Sequence, residues 1–219
     1  MKTLGVKQFH QKTYKLLDLG GSKFAGTLGD VPKSFILVVY GYSGNGKTEF
    51  CVQLAKELTN YGKVAWLSYE QRHGYDLQKA TMRNNMQEAV GNFLVIDPIQ
   101  NLPAKRSLMQ DLDLYLSKRN SPDFVFIDSL DYTRFTWDEY TYLKNKYAGR
   151  KTFVFIAHSS PNGRLHMRIC DRVLFDGGMG IHVRDFIATP VKNRYGGFEP
   201  FVVYESEARK RNPLYFEKL

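Results

Sequence analysis

The eight residues from Gly41 to Thr48 constrain the fold of this 219-residue chain more than any other feature. They read Gly-Tyr-Ser-Gly-Asn-Gly-Lys-Thr and match the spacing G-x-x-x-x-G-K-[ST] in full. The nearly continuous apolar run Phe35–Tyr40 precedes them, and Thr48–Tyr61 follows with its apolar residues on one helical face. A glycine-rich turn between a buried strand and a helix can curl its backbone N–H groups around a phosphate. We therefore predict a phosphate-binding loop at these residues.

The chemistry of the loop predicts ATP and Mg²⁺ as cofactors. The start of the following helix adds its partial positive charge to the phosphate site. Lys47 is expected to reach the β- and γ-phosphates, and the Thr48 hydroxyl to ligate Mg²⁺. The predicted nucleotide-binding residues are Gly41, Tyr42, Ser43, Gly44, Asn45, Gly46, Lys47 and Thr48.

Strand and helix patterns alternate along the rest of the chain. After Phe35–Tyr40, apolar runs that predict strands recur at 64–67, 93–96, 124–127, 153–156, 173–175, 186–189 and 201–204. Helical stretches are predicted at 48–61, 74–83, 107–118 and 137–147. This order predicts an α/β fold, a mostly parallel twisted sheet with helices on both faces. We place this domain at residues 35–219, after a basic lead-in over residues 1–34.

Acidic residues at the ends of predicted strands are candidates for metal binding and catalysis. Asp128 follows the run Phe124–Ile127, where a carboxylate is expected to hold Mg²⁺ through water. Asp97 follows a strand of the same shape and is the rival, although Pro98 comes directly after it. Glu70 ends the strand after the loop helix, where a carboxylate can polarise the attacking water, or can simply be a solvated loop charge.

From about Val31 to Gly197, the chain resembles the RecA-like ATPase core, and within it the RadA and DnaB-helicase branch. Four features occur in the family's order, namely the phosphate loop and the strands ending Leu67-Ser-Tyr-Glu70, Ile127-Asp-Ser129 and Phe153-Val-Phe-Ile-Ala-His158. Lys192-Asn-Arg-Tyr-Gly196 is similar to the K-N-R-[FY]-G motif of RadA-type proteins.

The resemblance implies a role for each matching residue. Glu70 corresponds to the catalytic glutamate, and His158 to a sensor of the γ-phosphate. Lys192 and Arg194 correspond to a cation pair that reaches into a neighbouring subunit's site, which implies a homo-oligomer. The alternatives are a core or capping role for His158 and a solvated basic loop at Lys192 and Arg194.

The segment after His158 corresponds to the region that contacts DNA in RecA-like proteins. It is short, and its basic side chains are Arg164, His166 and Arg168. DnaB-type helicases and RadA carry additional domains, which we do not expect within these 219 residues. A minimal core of this kind suggests a phage or mobile-element ATPase that neither exchanges strands nor unwinds DNA processively.

Charge and cysteine content suggest a partner and a compartment. The net charge of +9 lies entirely in the flanks, because residues 35–149 hold 13 basic and 13 acidic side chains. Basic flanks attract polyanions, so DNA is a candidate partner, although many proteins are basic for solubility alone. The two cysteines are far apart and no apolar run is long enough to cross a bilayer, so we expect a cytoplasmic protein without a membrane span.

These observations support a main hypothesis and two rivals. The main one is a Mg²⁺-dependent, oligomeric ATPase that acts on DNA in recombination or replication. The first rival is an ATP-dependent switch or loader with little turnover. The second is a small-molecule kinase, for which Arg164, Arg168 and Arg172 would serve as a lid.

Overall fold

The computed structural model describes residues 1–217, which build an eight-stranded sheet and the helices around it. The strands are β1 Ile36–Gly41, β2 Val64–Ser68, β3 Phe93–Ile96, β4 Phe124–Asp128, β5 Thr152–His158, β6 Met179–Arg184, β7 Ile187–Asn193 and β8 Phe201–Val202. The helices are α1 Val6–His10, α2 Ala25–Leu28, α3 Lys47–Leu58, α4 Tyr75–Arg83, α5 Leu108–Leu116, α6 Leu130–Thr133, α7 Trp137–Lys146, α8 Arg168–Asp176, α9 Glu205–Arg211 and α10 Pro213–Phe216. A 3₁₀ helix spans Met86–Ala89.

The sheet has the strand order β3-β2-β4-β5-β1-β6-β7-β8. The first six strands of this order are parallel, and β7 and β8 extend the sheet beyond β6 by antiparallel pairing. The carboxyl ends of β1, β2, β4 and β5 therefore meet along one edge of the sheet. The predicted α/β class with a mostly parallel sheet is confirmed.

Helices cover both faces of the sheet, as predicted. On one face, apolar residues of α2, α3 and α4 pack against alternate residues of the strands, including Leu37, Val39 and Trp66. On the other face, α5, α6, α7 and α8 pack against the remaining residues, including Val38 and Ile127. Because both faces are covered, the central strands are buried along their whole length, which explains their continuous apolar runs.

The strand predicted at 173–175 is wrong, because these residues belong to α8. Cys170 and Val173 lie one helical turn apart and are buried, whereas Phe175 is 84% exposed. The strand that follows α8 is β6, which starts at Met179 and was not predicted. Glycine at position 180 interrupts its apolar pattern, and the close approach of the Leu174 side chain leaves no room there for a Cβ.

The basic lead-in over residues 1–34 contains two parts with different packing. The short helix α1 has no buried residue. By contrast, Phe24, Leu28 and Val31 are fully buried in the core against α3 and the sheet. The segment from Leu17 onward thus packs as part of the same core as residues 35–217.

Candidate nucleotide-binding site

The loop Gly41–Thr48 joins the end of β1 to the start of α3, as its motif predicts. Gly44 and Gly46 have φ angles of 75° and 96°, which L residues with a side chain adopt only with strain. A Cβ on Gly46 would lie 2.7 Å from the Phe186 ring, so both conformation and space require glycine there. The loop is thus folded as a tight cradle whose helix begins at Lys47.

The turn between β6 and β7 supports the loop from the side. Asn45 Oδ1 accepts a hydrogen bond from Asp185 N at 2.8 Å, and Asn45 O accepts one from Phe186 N at 3.1 Å. Asp185 and Phe186 both have positive φ angles, which this two-residue turn requires. Asn45 therefore holds the loop in position rather than facing the cavity beside it.

Lys47 lies at the floor of the site with its side chain largely buried. Its Nζ donates a hydrogen bond to Tyr42 O at 3.2 Å. Burial lowers the pKa of Lys47, and the carboxylates of Glu70 and Asp128 oppose that shift. The ammonium group therefore stands in a desolvated position where a phosphate would be its natural counter-charge.

Three strand ends bring Glu70, Asp128 and His158 to the same edge of the sheet as the loop. Glu70 N donates a hydrogen bond to Asp128 O at 3.1 Å, which fixes the two acidic residues side by side. The His158 Nε2 atom lies 2.7 Å from Glu70 Oε2. Asp128 is buried, and Trp66 Nε1 donates to its Oδ2 atom at 3.2 Å.

The two carboxylates have opposite pKa shifts. Burial raises the pKa of Asp128 to about 6, and the nearby Glu70 charge adds to the increase. Burial acts to raise the pKa of Glu70, but the hydrogen bond with His158 and the positive charges of His158 and Lys47 together outweigh burial and lower the pKa overall. Glu70 is therefore the carboxylate that holds its negative charge more firmly.

One cavity of about 700 Å³ is lined by Lys47, Glu70, Asp128 and His158, and small-molecule sites commonly have this size. Of the predicted loop residues, Ser43, Gly44, Gly46, Lys47 and Thr48 line it, together with Glu70, Asp128 and His158. Gly41, Tyr42 and Asn45 belong to the loop but are not among the residues that line the cavity. Among the described residues the lining excludes Asp97, which pairs with Arg72 and accepts hydrogen bonds from Ile99 N and Gln100 N.

The cavity also has two walls that sequence reasoning missed. One is α4, which contributes Tyr75, Asp76, Lys79, Ala80 and Arg83. Their spacing on a predicted helix is a signal that could have identified a polar face. The other wall consists of Phe186 in the β6–β7 turn and of Tyr204 and Glu207 at the start of α9. No motif in the sequence indicates this second wall.

Lys192 and Arg194 lie at the opposite edge of the sheet from the loop. Lys192 pairs with Gly180, the second residue of β6, and Arg194 N donates to Gly178 O, just before β6 begins. Five residues of strand separate Lys192 from Ile187, or about 17 Å at the usual rise per residue. The Lys192 Nζ atom donates to the carbonyls of Leu174 and Phe175, at the end of α8. Neither cation reaches the nucleotide cavity of its own chain.

The segment after His158 forms a small closed loop beside the cavity. Ser159 and Leu165 form an isolated bridge, and Ser160 N donates to Arg164 O at 2.8 Å. The side chains of Arg164, His166 and Arg168 are exposed. Among the described residues that line the cavity, the three arginines proposed as a kinase lid, Arg164, Arg168 and Arg172, are absent.

The residues present fit Mg²⁺ with a nucleotide. Thr48 supplies a hydroxyl oxygen and Asp128 a carboxylate, the hard oxygen ligands that Mg²⁺ prefers, and Mg²⁺ commonly takes its remaining ligands from phosphates and water. Within residues 1–217, no group of three or more His, Cys, Asp or Glu side chains is placed to hold a metal ion alone. In the same range, no helix combines the length and apolar character that a bilayer crossing requires.

No protein-family model matches the sequence, and no curated protein matches it significantly. Similar solved structures include the flagellar accessory protein FlaH from Methanocaldococcus jannaschii, with a TM-score of 0.61 and 19% identity over 87% of this chain and 97% of FlaH. Another is the ATP synthase subunit NeqB from Nanoarchaeum equitans, with a TM-score of 0.49 and 11% identity over 78% of this chain and 51% of NeqB. The chain has the RecA-like α/β fold that it shares with FlaH.

Proposed function

We propose that this protein binds ATP with Mg²⁺ and hydrolyses it. The observation that carries the proposal is the meeting of Lys47 and Thr48 with Glu70, Asp128 and His158 in one cavity at one edge of the sheet. A phosphate loop alone can serve many purposes. A phosphate loop faced by a hydrogen-bonded, ionised carboxylate offers both the phosphate site and a base for water.

Each residue has a distinct task in this proposal. The loop N–H groups and Lys47 hold the β- and γ-phosphates, and Thr48 and Asp128 hold Mg²⁺, the latter through water. Mg²⁺ supplies positive charge that stabilises the developing charge on the phosphate oxygens. Glu70 accepts a proton from the attacking water. His158 donates a hydrogen bond to the γ-phosphate from Nε2, the atom that contacts Glu70 in this structure.

The cation pair completes the site only in an assembly. Arg194 is exposed and makes no side-chain hydrogen bond or ion pair within residues 1–217, although other basic residues around it do. We propose that Arg194, with Lys192 beside it, faces the nucleotide of an adjacent subunit in a homo-oligomer. A guanidinium supplied in this way couples hydrolysis to assembly, because the charge arrives only when subunits dock.

DNA is the proposed partner of the assembled protein, in recombination or replication. The exposed side chains of Arg164, His166 and Arg168 support this proposal, because they follow His158 at the sheet edge where the phosphate loop lies. The basic flanks add a sequence-independent attraction. The RadA and DnaB branch remains the assignment that the Lys192–Gly196 motif favours.

A second candidate function is an ATP-dependent switch with little turnover. The contact between His158 and Glu70 favours it, because it engages Oε2, one of the two carboxylate oxygens that could accept a proton from water. FlaH, which shares the fold, is described as an accessory protein. In this case ATP binding would change the His158–Glu70 contact and so the neighbouring loop, without rapid hydrolysis.

The test is ATP turnover with and without single- and double-stranded DNA, measured beside ATP binding. Turnover that DNA stimulates supports the ATPase acting on DNA. Binding with negligible turnover under every condition supports the switch. Absence of ATP binding by the folded protein would contradict both.

A further inference from the structure

The cavity has a carboxylate on the side away from the hydrolytic groups. Asp128 and His158 end strands β4 and β5, and Glu70 lies two residues after β2; all three strands are on one side of the loop-bearing strand β1. Glu207 lies on α9, which follows β8 at the other side of β1, and it lines the same cavity with Phe186 and Tyr204. A ligand whose terminal phosphate faces Glu70 thus has its other end directed to this wall.

Helix α9 is anchored to the phosphate loop and to the sheet. Arg211 donates a hydrogen bond to Gly44 O at 3.2 Å, and its guanidinium lies 4.9 Å from the centre of the Phe186 ring. Val203 N donates to Phe186 O at 2.8 Å, just before the helix starts. Ala208 is fully buried, so the helix has a fixed inner face. The position of Glu207 relative to the loop is therefore set by the fold.

The Glu207 carboxylate is ionised and can accept further hydrogen bonds. Lys210 Nζ lies 2.7 Å from its Oε1 atom, and Arg211 Nε lies 3.9 Å from its Oε2 atom. The hydrogen bond from Lys210 lowers the pKa of Glu207. Two carboxylate oxygens have about four acceptor positions, of which these contacts use only part.

The charge of Glu207 decides which part of a nucleotide can approach it. A carboxylate repels phosphates but accepts hydrogen bonds from uncharged donors. A nucleoside offers such donors in its ribose hydroxyls and its exocyclic amine, and the two aromatic neighbours suit its flat base. We propose that Glu207 reads the nucleoside of the bound nucleotide by accepting a hydrogen bond from one of these donors. The inference rests on nucleotide binding as proposed above.

Asp76 on α4 is the competing carboxylate, because it lines the cavity from the opposite wall. It is exposed and makes no ion pair within residues 1–217, and its neighbour Tyr75 lies under Lys79. Glu207 is the better candidate because its helix is bonded to the phosphate loop itself. The experiment therefore compares the two residues directly.

The test measures binding of ATP and three analogues by competition with a fluorescent nucleotide. The analogues are 2′-deoxy-ATP, 3′-deoxy-ATP and inosine triphosphate, which lack the 2′-hydroxyl, the 3′-hydroxyl and the exocyclic amine, respectively. The variants are Glu207→Ala, Glu207→Gln, Asp76→Ala and Glu205→Ala. Glu205 is the matched control, since it lies on the same helix, pairs with Arg209 and does not line the cavity. Lys47→Ala tests nucleotide binding as such.

We expect Glu207→Ala to weaken ATP binding about tenfold, as loss of a hydrogen bond to a charged acceptor does, and Glu205→Ala to leave it unchanged. The analogue that lacks the donor recognised by Glu207 should have the same affinity for Glu207→Ala and for the wild type. Its identity shows whether Glu207 accepts a hydrogen bond from the sugar or from the base. If Glu207→Ala does not fold, Glu207→Gln should show the same pattern with a smaller change.

Three results would overturn the inference. ATP affinity could be unchanged in folded Glu207→Ala, or ATP and all three analogues could weaken by the same factor. Alternatively, Asp76→Ala could show the analogue-specific pattern in its place. Unchanged ATP binding by Lys47→Ala would instead contradict the proposed function, so the two failures are distinguishable.

Discussion

At the scale of single residues, the site depends on how one buried cation is balanced. Lys47 is desolvated and faces Glu70 and Asp128 across the cavity, with no direct ion pair to either within the described residues. A buried ammonium group that makes only one backbone hydrogen bond is destabilising unless an anion approaches it. The triphosphate is the anion that this geometry suits.

Replacing Lys47 with alanine should abolish nucleotide binding or weaken it about a hundredfold or more, because it removes the charge that faces the β- and γ-phosphates. Titration with a fluorescent ATP analogue measures this. Lys56→Ala is the control, since Lys56 lies on the same helix and pairs with Glu88 away from the loop. Equal affinity of folded Lys47→Ala and wild type would exclude this site.

Glu70→Gln should leave ATP bound and slow hydrolysis about a hundredfold, which is the usual contribution of a positioned general base. Single-turnover hydrolysis separates this effect from product release. The matched control is Asp97→Asn, another strand-end acid, which lies outside the cavity lining. If both variants hydrolyse ATP at the wild-type rate, Glu70 is not the base and the switch is favoured.

At the scale of elements, helices α7 and α8 are joined by a carboxylate. Asp176 ends α8 and accepts hydrogen bonds from Tyr140 Oη at 2.6 Å and Lys144 Nζ at 2.7 Å, both on α7. Burial acts to raise the pKa of Asp176, but these hydrogen bonds, together with the charges of Lys144 and Lys192, outweigh it and lower the pKa below its ordinary value of 3.8. The ionised carboxylate thus stabilises the packing of the two helices.

Asp176→Asn should destabilise the protein at neutral pH by about 1–3 kcal/mol, the range for a hydrogen bond to a charged group. A lowered pKa in the folded state means that the stabilisation is present above 3.8 and is lost as the pH falls through the folded value. The difference in free energy of unfolding should therefore shrink as the pH falls below 4. Denaturant titrations at several pH values measure it, and a constant difference would contradict the assignment.

At the scale of the whole molecule, charge and topology determine where the positive groups lie relative to the phosphate loop. The central residues are neutral, and the positive charge lies in the two flanks. The antiparallel pair β6 and β7 connects the phosphate loop at one sheet edge to Lys192 and Arg194 at the other. The phosphate loop thus lies at one end of the hairpin, and Lys192 and Arg194 lie at the opposite end.

Binding to DNA should tolerate changes of sequence and weaken at least tenfold between about 50 and 200 mM salt, because phosphate contacts release counterions. Fluorescence anisotropy with unrelated single- and double-stranded oligonucleotides, with and without ATP, measures this. An affinity that does not change with salt would contradict contacts to phosphates. A protein that binds none of these nucleic acids removes DNA as a partner.

Arg194→Ala should bind ATP normally and hydrolyse it poorly. Mixing it with Lys47→Ala should restore partial turnover, since Lys47→Ala subunits supply an intact Arg194 to sites with an intact phosphate loop. The control replaces Lys47→Ala by the double variant Lys47→Ala/Arg194→Ala, which should restore nothing. Co-assembly of the first pair without recovery would show that Arg194 does not act in trans.

The local pattern of the sequence was sufficient to predict most strands of the sheet and the phosphate loop at the floor of the site. Strands β1 to β5 lie within two residues of their predicted positions, because a strand buried on both faces must be apolar throughout. The phosphate loop was likewise predictable from the sequence, since its motif has glycine at Gly44 and Gly46, where the backbone has positive φ angles. The strand predicted at 173–175 failed, because three apolar residues fit one turn of a helix as well as a short strand.

Only the tertiary structure decided how distant segments share the site. Phe186, Tyr204 and Glu207 follow the loop by more than 130 residues and join its cavity because the β6–β7 turn and α9 fold back onto it. The sequence determined that a phosphate loop, a parallel sheet and strand-end acids exist. Strand order and register decided which acid lies beside Lys47. They also decided that Lys192 and Arg194 lie at the far edge of the sheet. Both depend on long-range packing that no local pattern encodes.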